Sequence, residues 1–423
     1  MMNNNAEDNY FPEIPDITRA QITIQDVSMH TPLQKNINLS EQFGADIYLK
    51  REDLQVVRSY KIRGAYNKIS GLSALETEKG IVCASAGNHA QGVAYACRKL
   101  KIKGYIYMPA TTPRQKIRQV EMFGKDWIEV ILTGDTYDAA EAAARQHCNR
   151  EALTFIHPFD DEKIIEGQGT IAPEIVQDIK KPIDYLFLPI GGGGLAAGVG
   201  AYFSQISPKT RIIGVEPEGA ASMKISIEAG RVIELAEIDK FVDGAAVKKV
   251  GQLSFNICKQ VLHEIITIPE GKVCTNILDL YNQDALVLEP AGALSIAALD
   301  FMRDKIKGKT VVCIVSGSNN DITRMEEIKE RSLLYEGLKH YFIVRFPQRS
   351  GALRTFVDQV LGPDDDITFF EYSKKTNREK GPAVIGIELQ KKENFNGLIH
   401  RMQKFGFVYE YLNDVPNLFQ VLI

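Results

Sequence analysis

The sequence reads Leu186-Phe187-Leu188-Pro189-Ile190-Gly191-Gly192-Gly193-Gly194-Leu195 in its middle, an apolar run followed by four glycines. The apolar run is typical of a buried strand, and the small and apolar residues after the glycines predict a helix. Four glycines at a strand-to-helix turn leave backbone N–H groups open to an anion such as a phosphate. No Lys-Ser or Lys-Thr pair follows, so this is not the loop of nucleoside triphosphatases.

The same alternation of apolar runs and helical patterns extends outward to about residues 45 and 319. The predicted strands are Gly80–Ser85, Gly104–Ala110, Trp127–Leu132, Tyr185–Ile190, Arg211–Glu216 and Thr310–Ser316. The predicted helices are His89–Leu100, Pro113–Phe123, Tyr137–Arg150, Leu195–Ser204 and Ala291–Met302. Because each parallel connection needs a crossover, this order predicts an α/β fold with open, mainly parallel sheets and helices on both faces.

A second interpretation of the glycine loop is a dinucleotide site. Gly191, Gly193 and Ala196 fit the pattern G-x-G-x-x-A, and Glu216 ends the next predicted strand. An acid about 20 residues after such a loop is typical of ribose binding. From the local pattern alone, a phosphate loop and a nicotinamide site both remain open.

Lys61 stands in the run Ser59-Tyr60-Lys61-Ile62-Arg63-Gly64-Ala65, between the strand-like residues 45–50 and a helix-like pattern. Most lysines are solvated surface cations. At a strand-to-helix corner, however, partial burial beside Arg63 would lower the lysine pKa below its free value of about 10.4 and make the amine nucleophilic. This position therefore predicts a reactive amine, with an ordinary surface charge as the alternative.

Two further turns follow predicted strands. The run Ser85-Ala86-Gly87-Asn88-His89-Ala90-Gln91-Gly92 opens a helix, and its small residues and first-turn amides suit a carboxylate. Ser316 follows the last strand, where its hydroxyl would face the crevice in which open α/β folds bind ligands. The simpler interpretations are a helix cap and an ordinary turn.

The composition narrows the class of protein. The chain has 423 residues, 44% of them hydrophobic and 25% charged, with a formal net charge of -4, so no basic surface for nucleic acid is expected. The six cysteines are scattered without a CxxC pair, which argues against a zinc site. No secretion signal is recognisable at the start, and no apolar run approaches the roughly 20 residues that cross a membrane. We therefore expect a cytoplasmic protein that acts on a small molecule.

The tail differs in kind from the rest of the chain. After a charged helical stretch at residues 325–331, the pattern predicts a βαββαβ order. Its last features are a polar hairpin at Ser373–Glu379, a helix at Phe395–Phe405 and a final strand at Leu418–Ile423. This is a small α+β domain with an open face or edge, suited to ligand sensing or to subunit pairing.

Together the four segments have one known match. The Lys61 run, the Ser85–Gly92 run, the Gly191–Gly194 loop and Ser316-Gly317, in that order, closely resemble the pyridoxal-phosphate enzymes of the tryptophan-synthase-β fold type, or fold type II. Within that group the chain is similar to the biosynthetic threonine dehydratases, also called threonine deaminases, in a short form with a single ACT-like regulatory domain. The resemblance favours the phosphate interpretation of the glycine loop, because a dinucleotide site explains neither Lys61 nor the Ser85–Gly92 run.

The resemblance implies a role for each of these residues. Lys61 would bind pyridoxal 5'-phosphate as a Schiff base and then take the Cα proton of the substrate. The other cofactor-binding residues would be Asn88 at the ring oxygen, Gly191, Gly192, Gly193, Gly194 and Leu195 at the phosphate, and Ser316 at the pyridine nitrogen. The substrate carboxylate would be framed by Ser85, Ala86, Gly87, Asn88 and His89.

Two acidic residues have weaker roles in this resemblance. Glu289 is a possible acid near the cofactor, although its simpler interpretation is a helix-entry residue before Pro290. Related serine racemases hold a divalent cation on the segment equivalent to Glu216–Ser222. This chain has Ser222 where an acid is expected, so no metal is expected.

The implied reaction is dehydration and deamination of L-threonine to 2-oxobutanoate and ammonia, the first step of isoleucine synthesis. The tail implies control by a branched-chain amino acid, isoleucine or valine, in a homo-oligomer, expected to be a homotetramer. The expected domains are a catalytic region at 1–330 with a small subdomain at about 55–155, a linker at 331–338 and a regulatory domain at 339–423. Three alternatives remain: a serine dehydratase or racemase of the same fold type, a nicotinamide dehydrogenase, and a sensor without catalysis.

Overall fold

The computed structural model describes residues 10–372 and 380–415. By its internal contacts the chain divides into two compact units, residues 1–323 and 324–423. In the described residues of the first unit the strands are β1 Leu33–Lys35, β2 Asp46–Arg51, β3 Ile81–Ala84, β4 Gly104–Met108, β5 Ile128–Leu132, β6 Thr154–Phe155, β7 Tyr185–Pro189, β8 Arg211–Pro217, β9 Glu264–Ile268 and β10 Thr310–Val315.

The same unit carries fifteen α-helices within its described residues. They are α1 Ile14–Ile24, α2 Ile37–Phe43, α3 Lys61–Ser70, α4 Ala74–Lys79, α5 Asn88–Leu100, α6 Arg114–Gly124, α7 Tyr137–Glu151, α8 Glu162–Gly169, α9 Ile171–Asp178, α10 Gly194–Ile206, α11 Ser222–Ala229, α12 Gln252–Val261, α13 Glu270–Asp284, α14 Pro290–Ala297 and α15 Arg303–Ile306. The described residues contain no helix long and apolar enough to span a membrane.

The strands form two separate sheets, each with its own core. The larger has the order β1-β2-β10-β7-β8-β9 and is parallel except for β1, which pairs antiparallel with β2. The smaller has the order β5-β4-β3-β6 and is parallel throughout. We call the part around the larger sheet the large subdomain, and β3 to β6 with helices α5, α6 and α7 the small subdomain.

Burial on both faces explains why the strands read as continuous apolar runs. All five residues of β7 and all six of β10 are buried, as a parallel strand between two helix layers must be. Fully burying a Leu, Ile or Phe side chain contributes about 1.5–3 kcal/mol. The predicted α/β class with mainly parallel sheets is confirmed, and the predicted strands and helices lie within a few residues of the observed ones. The two-residue strand β6 is too short to give a pattern of its own.

The second unit is a separate α+β structure. Its described elements are α16 Met325–Tyr335, β11 Lys339–Pro347, α17 Ala352–Gln359, β12 Asp366–Tyr372, β13 Lys380–Glu388, α18 Asn394–Lys404 and β14 Val408–Tyr411. The strands form an antiparallel sheet in the order β12-β13-β11-β14, and both α17 and α18 pack their apolar sides on its core. The predicted βαββαβ order is therefore confirmed.

In this unit the sixth element of the predicted order is β14, whose four residues precede the position predicted for the final strand. The hairpin predicted at Ser373–Glu379 and the strand predicted at Leu418–Ile423 lie outside the described residues.

Candidate active site

Lys61 is the first residue of α3, and the segment before it is fastened to the end of β10. The Tyr60 N–H donates to the Ser316 carbonyl at 3.2 Å, and Ser59 pairs with Gly317 through an isolated β-bridge. The Lys61 Nζ donates to the Pro158 carbonyl at 2.8 Å. These contacts place the amine at the carboxyl end of the large sheet.

Burial lowers the pKa of Lys61 to about 8, and the nearby Glu289 carboxylate opposes this shift. Near neutral pH a useful fraction of the amine is therefore unprotonated and able to act as nucleophile or base. The prediction that the Arg63 charge lowers the pKa of Lys61 was wrong. The Arg63 guanidinium is paired with Glu52 and Glu174 at 2.8 and 2.7 Å, and the lowered pKa of Lys61 comes from burial and not from the Arg63 charge.

The glycine loop lies between β7 and α10, opposite Lys61, and its shape depends on the absence of side chains. Gly193 has a φ of 98°, and a Cβ on it would lie 2.6 Å from Met223 Cε. A Cβ on Gly192 would lie 2.2 Å from the Phe159 ring. A Cβ atom essentially never lies within 3.0 Å of another heavy atom. A larger residue at either position would therefore force the loop or its neighbours to shift.

The loop and the lysine share one cavity. It is lined by Tyr60, Lys61, Phe159, Pro189, Gly191, Gly192, Gly193, Gly194, Leu195 and Gly244. The amides at the start of α10 add the positive end of a helix dipole to this lining. An amine and an anion-binding backbone therefore face the same space, which is the arrangement that a phosphate-bearing carbonyl compound requires.

The Ser85–His89 segment joins β3 to α5 in the small subdomain. Its side chains do not line this cavity, and it reaches the site through Asn88, the first residue of α5. The Asn88 Nδ2 donates to Glu289 Oε1 at 2.6 Å, and its Oδ1 accepts from Asn319 Nδ2 at 2.6 Å. Asn88 therefore ties the small subdomain to two segments of the large one.

The other residues of this segment have local partners. The Ser85 Oγ accepts from the Gly87 N–H at 3.2 Å, and nothing lies within 4 Å of the position that a Gly87 Cβ would take. That open space and the amides at the start of α5 are compatible with a bound carboxylate. Ala86 and Gly87 are only partly buried, as a binding turn requires.

His89 is buried and neutral. Its Nε2 lies 3.0 Å from the Ile156 carbonyl, so that nitrogen is the donor and the ring carries one proton. Burial, with a smaller effect of the Lys61 charge, lowers the pKa of His89 to about 3. The ring therefore supports the loop, and the alternative in which it carries protons at neutral pH is disfavoured.

Ser316 directly follows β10 and is buried. Its carbonyl accepts the Tyr60 N–H, which places it beside the segment that carries Lys61. The neighbouring Gly317 has no room for a side chain, since a Cβ there would lie 2.3 Å from Glu289 Oε1. Ser316 is not among the residues that line the cavity of the glycine loop. It shares with Lys61 the carboxyl end of the large sheet.

Glu289 has a larger place in the site than the sequence suggested. It is buried, and burial together with the Asp243 charge raises its pKa to about 7, while the bond from Asn88 lowers it. It does precede α14 with Pro290 in the first turn, but its side chain makes no capping hydrogen bond to that helix. The signal in the sequence was an acid before a proline at the end of an apolar run. That signal did not distinguish an acid in the site from a helix-entry residue.

Glu216 has no freedom to bind a ribose. Its two carboxylate oxygens accept the Met223 and Lys224 N–H groups at 2.8 and 2.9 Å, so it caps the start of α11. Burial raises its pKa to about 7. The dinucleotide interpretation therefore loses the residue on which it depended, and among the described residues no group of three or more His, Cys, Asp or Glu side chains lies close enough to hold a metal ion.

Comparison with known proteins gives consistent results for both units. Residues 24–317 match the model of a family described as pyridoxal-phosphate dependent enzyme, and residues 330–422 match the C-terminal regulatory domain of threonine dehydratase. The chain is 60% identical over 411 residues to an L-threonine dehydratase, biosynthetic IlvA, of Halalkalibacterium halodurans, covering 97% of this chain and 99% of that protein. It is 58% identical over 417 residues to the protein of the same name in Bacillus subtilis, covering 99% of both.

The fold also resembles that of a solved threonine deaminase. The processed form of isoform 2 from Solanum lycopersicum superposes with a TM-score of 0.71 and 40% identity, covering 76% of this chain and 95% of that one.

Proposed function

The chain belongs to the pyridoxal-phosphate-dependent enzymes, and we propose that within this family it is a biosynthetic threonine dehydratase with a regulatory C-terminal unit. It converts L-threonine to 2-oxobutanoate and ammonia, the first step of isoleucine synthesis, with pyridoxal 5'-phosphate as cofactor. The observation that carries the proposal is that the Lys61 amine and the Gly191–Gly194 backbone line the same cavity.

The residues present fit this cofactor. Lys61 is a partly buried amine with a lowered pKa, as covalent attachment to an aldehyde requires. The glycine cradle that a Cβ would fill gives the phosphate a site made of backbone N–H groups, with Leu195 closing the turn. Asn88 would donate to the ring oxygen and Ser316 would face the ring nitrogen.

When bound, the cofactor supplies an electron-withdrawing ring that makes the Cα proton of the substrate acidic. Lys61, whose amine would hold the cofactor, would also be the group that takes this proton. A pKa near 8 suits that role, because a catalytic base works best when its pKa lies close to the working pH. Its contact with the Pro158 carbonyl shows that the Nζ is directed by the polypeptide rather than left free in solvent.

Ser316 limits which reaction follows proton removal. Facing the ring nitrogen, a hydroxyl would not hold a proton there as a carboxylate would, and the bound cofactor would be a weaker electron sink. Ser316 would therefore support loss of the substrate's β-hydroxyl, that is, elimination rather than transamination. The residue type at this one position therefore supports the choice of reaction.

The substrate carboxylate is assigned to the turn formed by Ser85, Ala86, Gly87, Asn88 and His89. The N–H groups in the first turn of α5 have no partners inside the helix, and the helix dipole favours an anion at this end. The buried His89 keeps the turn in place through the Ile156 carbonyl. The Asn88 side chain links this turn to Glu289, so that substrate and cofactor residues are held together.

The C-terminal unit is assigned to regulation. We extend the proposal to a branched-chain amino acid effector, isoleucine or valine, bound between paired C-terminal units of different subunits in a homotetramer. The functional division stays at a catalytic region through residue 330, a linker at 331–338 and a regulatory region from residue 339. A cytoplasmic location, where free threonine is available, belongs to the same proposal.

Steady-state release of keto acid from threonine and from serine tests the proposal, with and without isoleucine or valine. We expect 2-oxobutanoate from threonine as the preferred reaction, and inhibition by at least one of the two effectors. Binding of amino acids without release of any keto acid would contradict the enzymatic role. Pyruvate from serine as the faster product would contradict the substrate assignment alone.

A further inference from the structure

A partly buried ion pair connects the small subdomain to the segment beside the catalytic cavity. Lys116, in the first turn of α6, binds Asp243, which lies in the stretch of residues 239–246 between α11 and α12. We call residues 239–246 the covering segment. The two side chains are only 18% and 33% exposed, so their attraction is less screened by solvent than that of a surface pair.

The covering segment touches the catalytic residues directly. Gly244, next to Asp243, is one of the residues that line the cavity with Lys61. A Cβ on Gly244 would lie 2.8 Å from the Ala291 Cβ and 3.5 Å from Glu289 Oε1. A shift of Asp243 therefore moves backbone that is packed against the cavity and against Glu289.

The covering segment is held together by its own hydrogen bonds and by burial. The Val242 carbonyl accepts the N–H groups of Ala245 and Ala246, both at 2.8 Å. Val242 and Ala245 are buried, and the backbone of Ala245 lies against Gly191 of the glycine loop. The covering segment thus bridges Asp243 and the loop assigned to the phosphate.

On the small-subdomain side of the ion pair, α6 contacts α5. We call the Ser85–His89 segment, which leads into α5 and is assigned to the substrate carboxylate, the substrate turn. The Gln91 Nε2 of α5 donates to Gln119 Oε1 of α6 at 3.0 Å, and α5 begins at Asn88. The contacts that cross from the small to the large subdomain near the cavity therefore include those of Asn88 with Glu289 and Asn319 and that of Lys116 with Asp243. Their charges are also linked, because Asp243 raises the pKa of Glu289 and Lys116 lowers it.

We propose that Lys116 and Asp243 are positioning residues that hold the small subdomain, with its substrate turn, against the cavity containing Lys61. The pair acts through Gly244 and α5 and touches neither substrate nor cofactor. This inference rests on the proposed function for its kinetic readout only. Its structural readout, closure of the two subdomains, does not depend on which reaction the enzyme catalyses.

Charge reversal tests the pair in the holoenzyme. Lys116→Glu and Asp243→Lys are made singly and together, with Asp243→Asn as a milder variant that carries the test if a reversed one does not fold. The kinetic parameters for threonine are measured, along with hydrogen exchange of the amides in residues 110–124 and 239–246. Each single reversal should raise KM about three- to tenfold, the range expected for loss of a partly screened ion pair, with kcat changed less than KM.

The same variants should show faster amide exchange in both segments, and the double reversal should restore KM and exchange toward wild type. Lys248→Glu is the matched control, because Lys248 also pairs across the subdomains, with Asp138, but at 3.8 Å and with side chains 38% and 70% exposed. It should leave KM within twofold of wild type.

Three results would overturn the inference: single reversals with wild-type KM and exchange, a double reversal as impaired as the single ones, or a loss of kcat without a change in KM. Failure of the proposed function is distinguishable, since the wild-type enzyme would then release no keto acid while the exchange measurement still reports on the pair.

Discussion

Asn88 Nδ2 lies 2.6 Å from Glu289 Oε1, although the two residues are 201 positions apart in the chain. The contact joins the first residue of α5, in the small subdomain, to the residue before α14, in the large one. It places a carboxyl with a pKa of about 7 within the electrostatic reach of the Lys61 amine. Lys61 and Glu289 thus interact electrostatically, and each has a pKa shifted toward neutral pH by burial.

Replacing Glu289 by Gln removes one of these titrating groups and leaves an oxygen that can still accept from Asn88. The pKa of Glu289 is raised to about 7, chiefly by burial, so the wild-type pH profile of kcat/KM should contain a step near that pH. We expect the profile of Glu289→Gln to lose that step. A step that persists unchanged in the variant would assign it to another group.

The same substitution has a predicted effect on stability. The folded protein keeps the Glu289 proton at pH values where the unfolded chain, with a carboxyl pKa of about 4.3, has lost it. Wild-type stability should therefore fall relative to Glu289→Gln as pH rises from about 4.3 to 7, by up to about 1.4 kcal/mol per pH unit. The difference in Tm between the two proteins, measured at pH 5.5 and pH 8, checks the sign.

Gly193→Ala should weaken cofactor retention. Besides the φ of 98° at Gly193, a Cβ there would lie 2.6 Å from Met223 Cε and 2.8 Å from Ser254 Cβ, so the loop or these neighbours must shift and the backbone N–H groups of the loop change position. We expect at least a tenfold loss in affinity, or about 1.4 kcal/mol, measured as cofactor retained after gel filtration over a series of dilutions.

Gly230→Ala is the matched control for this change. Gly230 also has a positive φ, 71°, but nothing lies within 4 Å of its Cβ position. It should cost about 1–2 kcal/mol of stability through backbone strain alone and retain the cofactor normally. Equal cofactor loss in the two variants would mean that backbone strain, and not the shape of the loop, explains the effect.

His89→Gln tests whether the buried imidazole moves protons. The pKa of His89 is lowered to about 3, so the ring is already neutral throughout the range in which the enzyme would be assayed. The variant should be less stable and less active, because the bond to the Ile156 carbonyl is disturbed. Its pH profile between 5 and 8 should keep the wild-type shape, and a lost or shifted step would restore His89 as an acid or base.

A buried charge cluster beside Lys61 should be important for stability. Arg63 pairs with Glu52 and Glu174, and Lys50 pairs with Glu174 at 2.5 Å, with all four side chains at most 5% exposed. Arg63→Met leaves two carboxylates short of a partner and should cost about 3–5 kcal/mol. Lys305→Met, which removes an exposed pair with Glu264, should cost less than about 1 kcal/mol in the same melting experiment.

Local patterns were sufficient to predict the parallel sheets and the glycine loop. Strand β7 is buried on both faces and therefore apolar throughout, and a turn into a helix that needs φ of 98° at Gly193 requires glycine. Burial of a strand on both faces and a positive φ in a turn each restrict the residue types of a short segment, so both can be recognised in the sequence. The position of Lys61 at the start of a helix could be read in the same way.

Partners distant in the chain could not be predicted. Arg63 was expected to repel the proton of Lys61, but it pairs with Glu52 and with Glu174, which is 111 positions away. Glu289 was interpreted as a helix-entry residue because its neighbours in the sequence do not predict its hydrogen bond with Asn88. Side-chain pairing between elements depends on how the two subdomains pack, which a local pattern does not record.

Borohydride reduction of the holoenzyme, followed by peptide mapping, tests the central claim most directly. The reagent fixes the cofactor covalently on the lysine that binds it. We predict one modified peptide, with the pyridoxyl group on Lys61, and no fixed cofactor in a folded Lys61→Ala variant. An adduct on another lysine, or no adduct in wild-type protein that binds the cofactor, would contradict the assignment of Lys61.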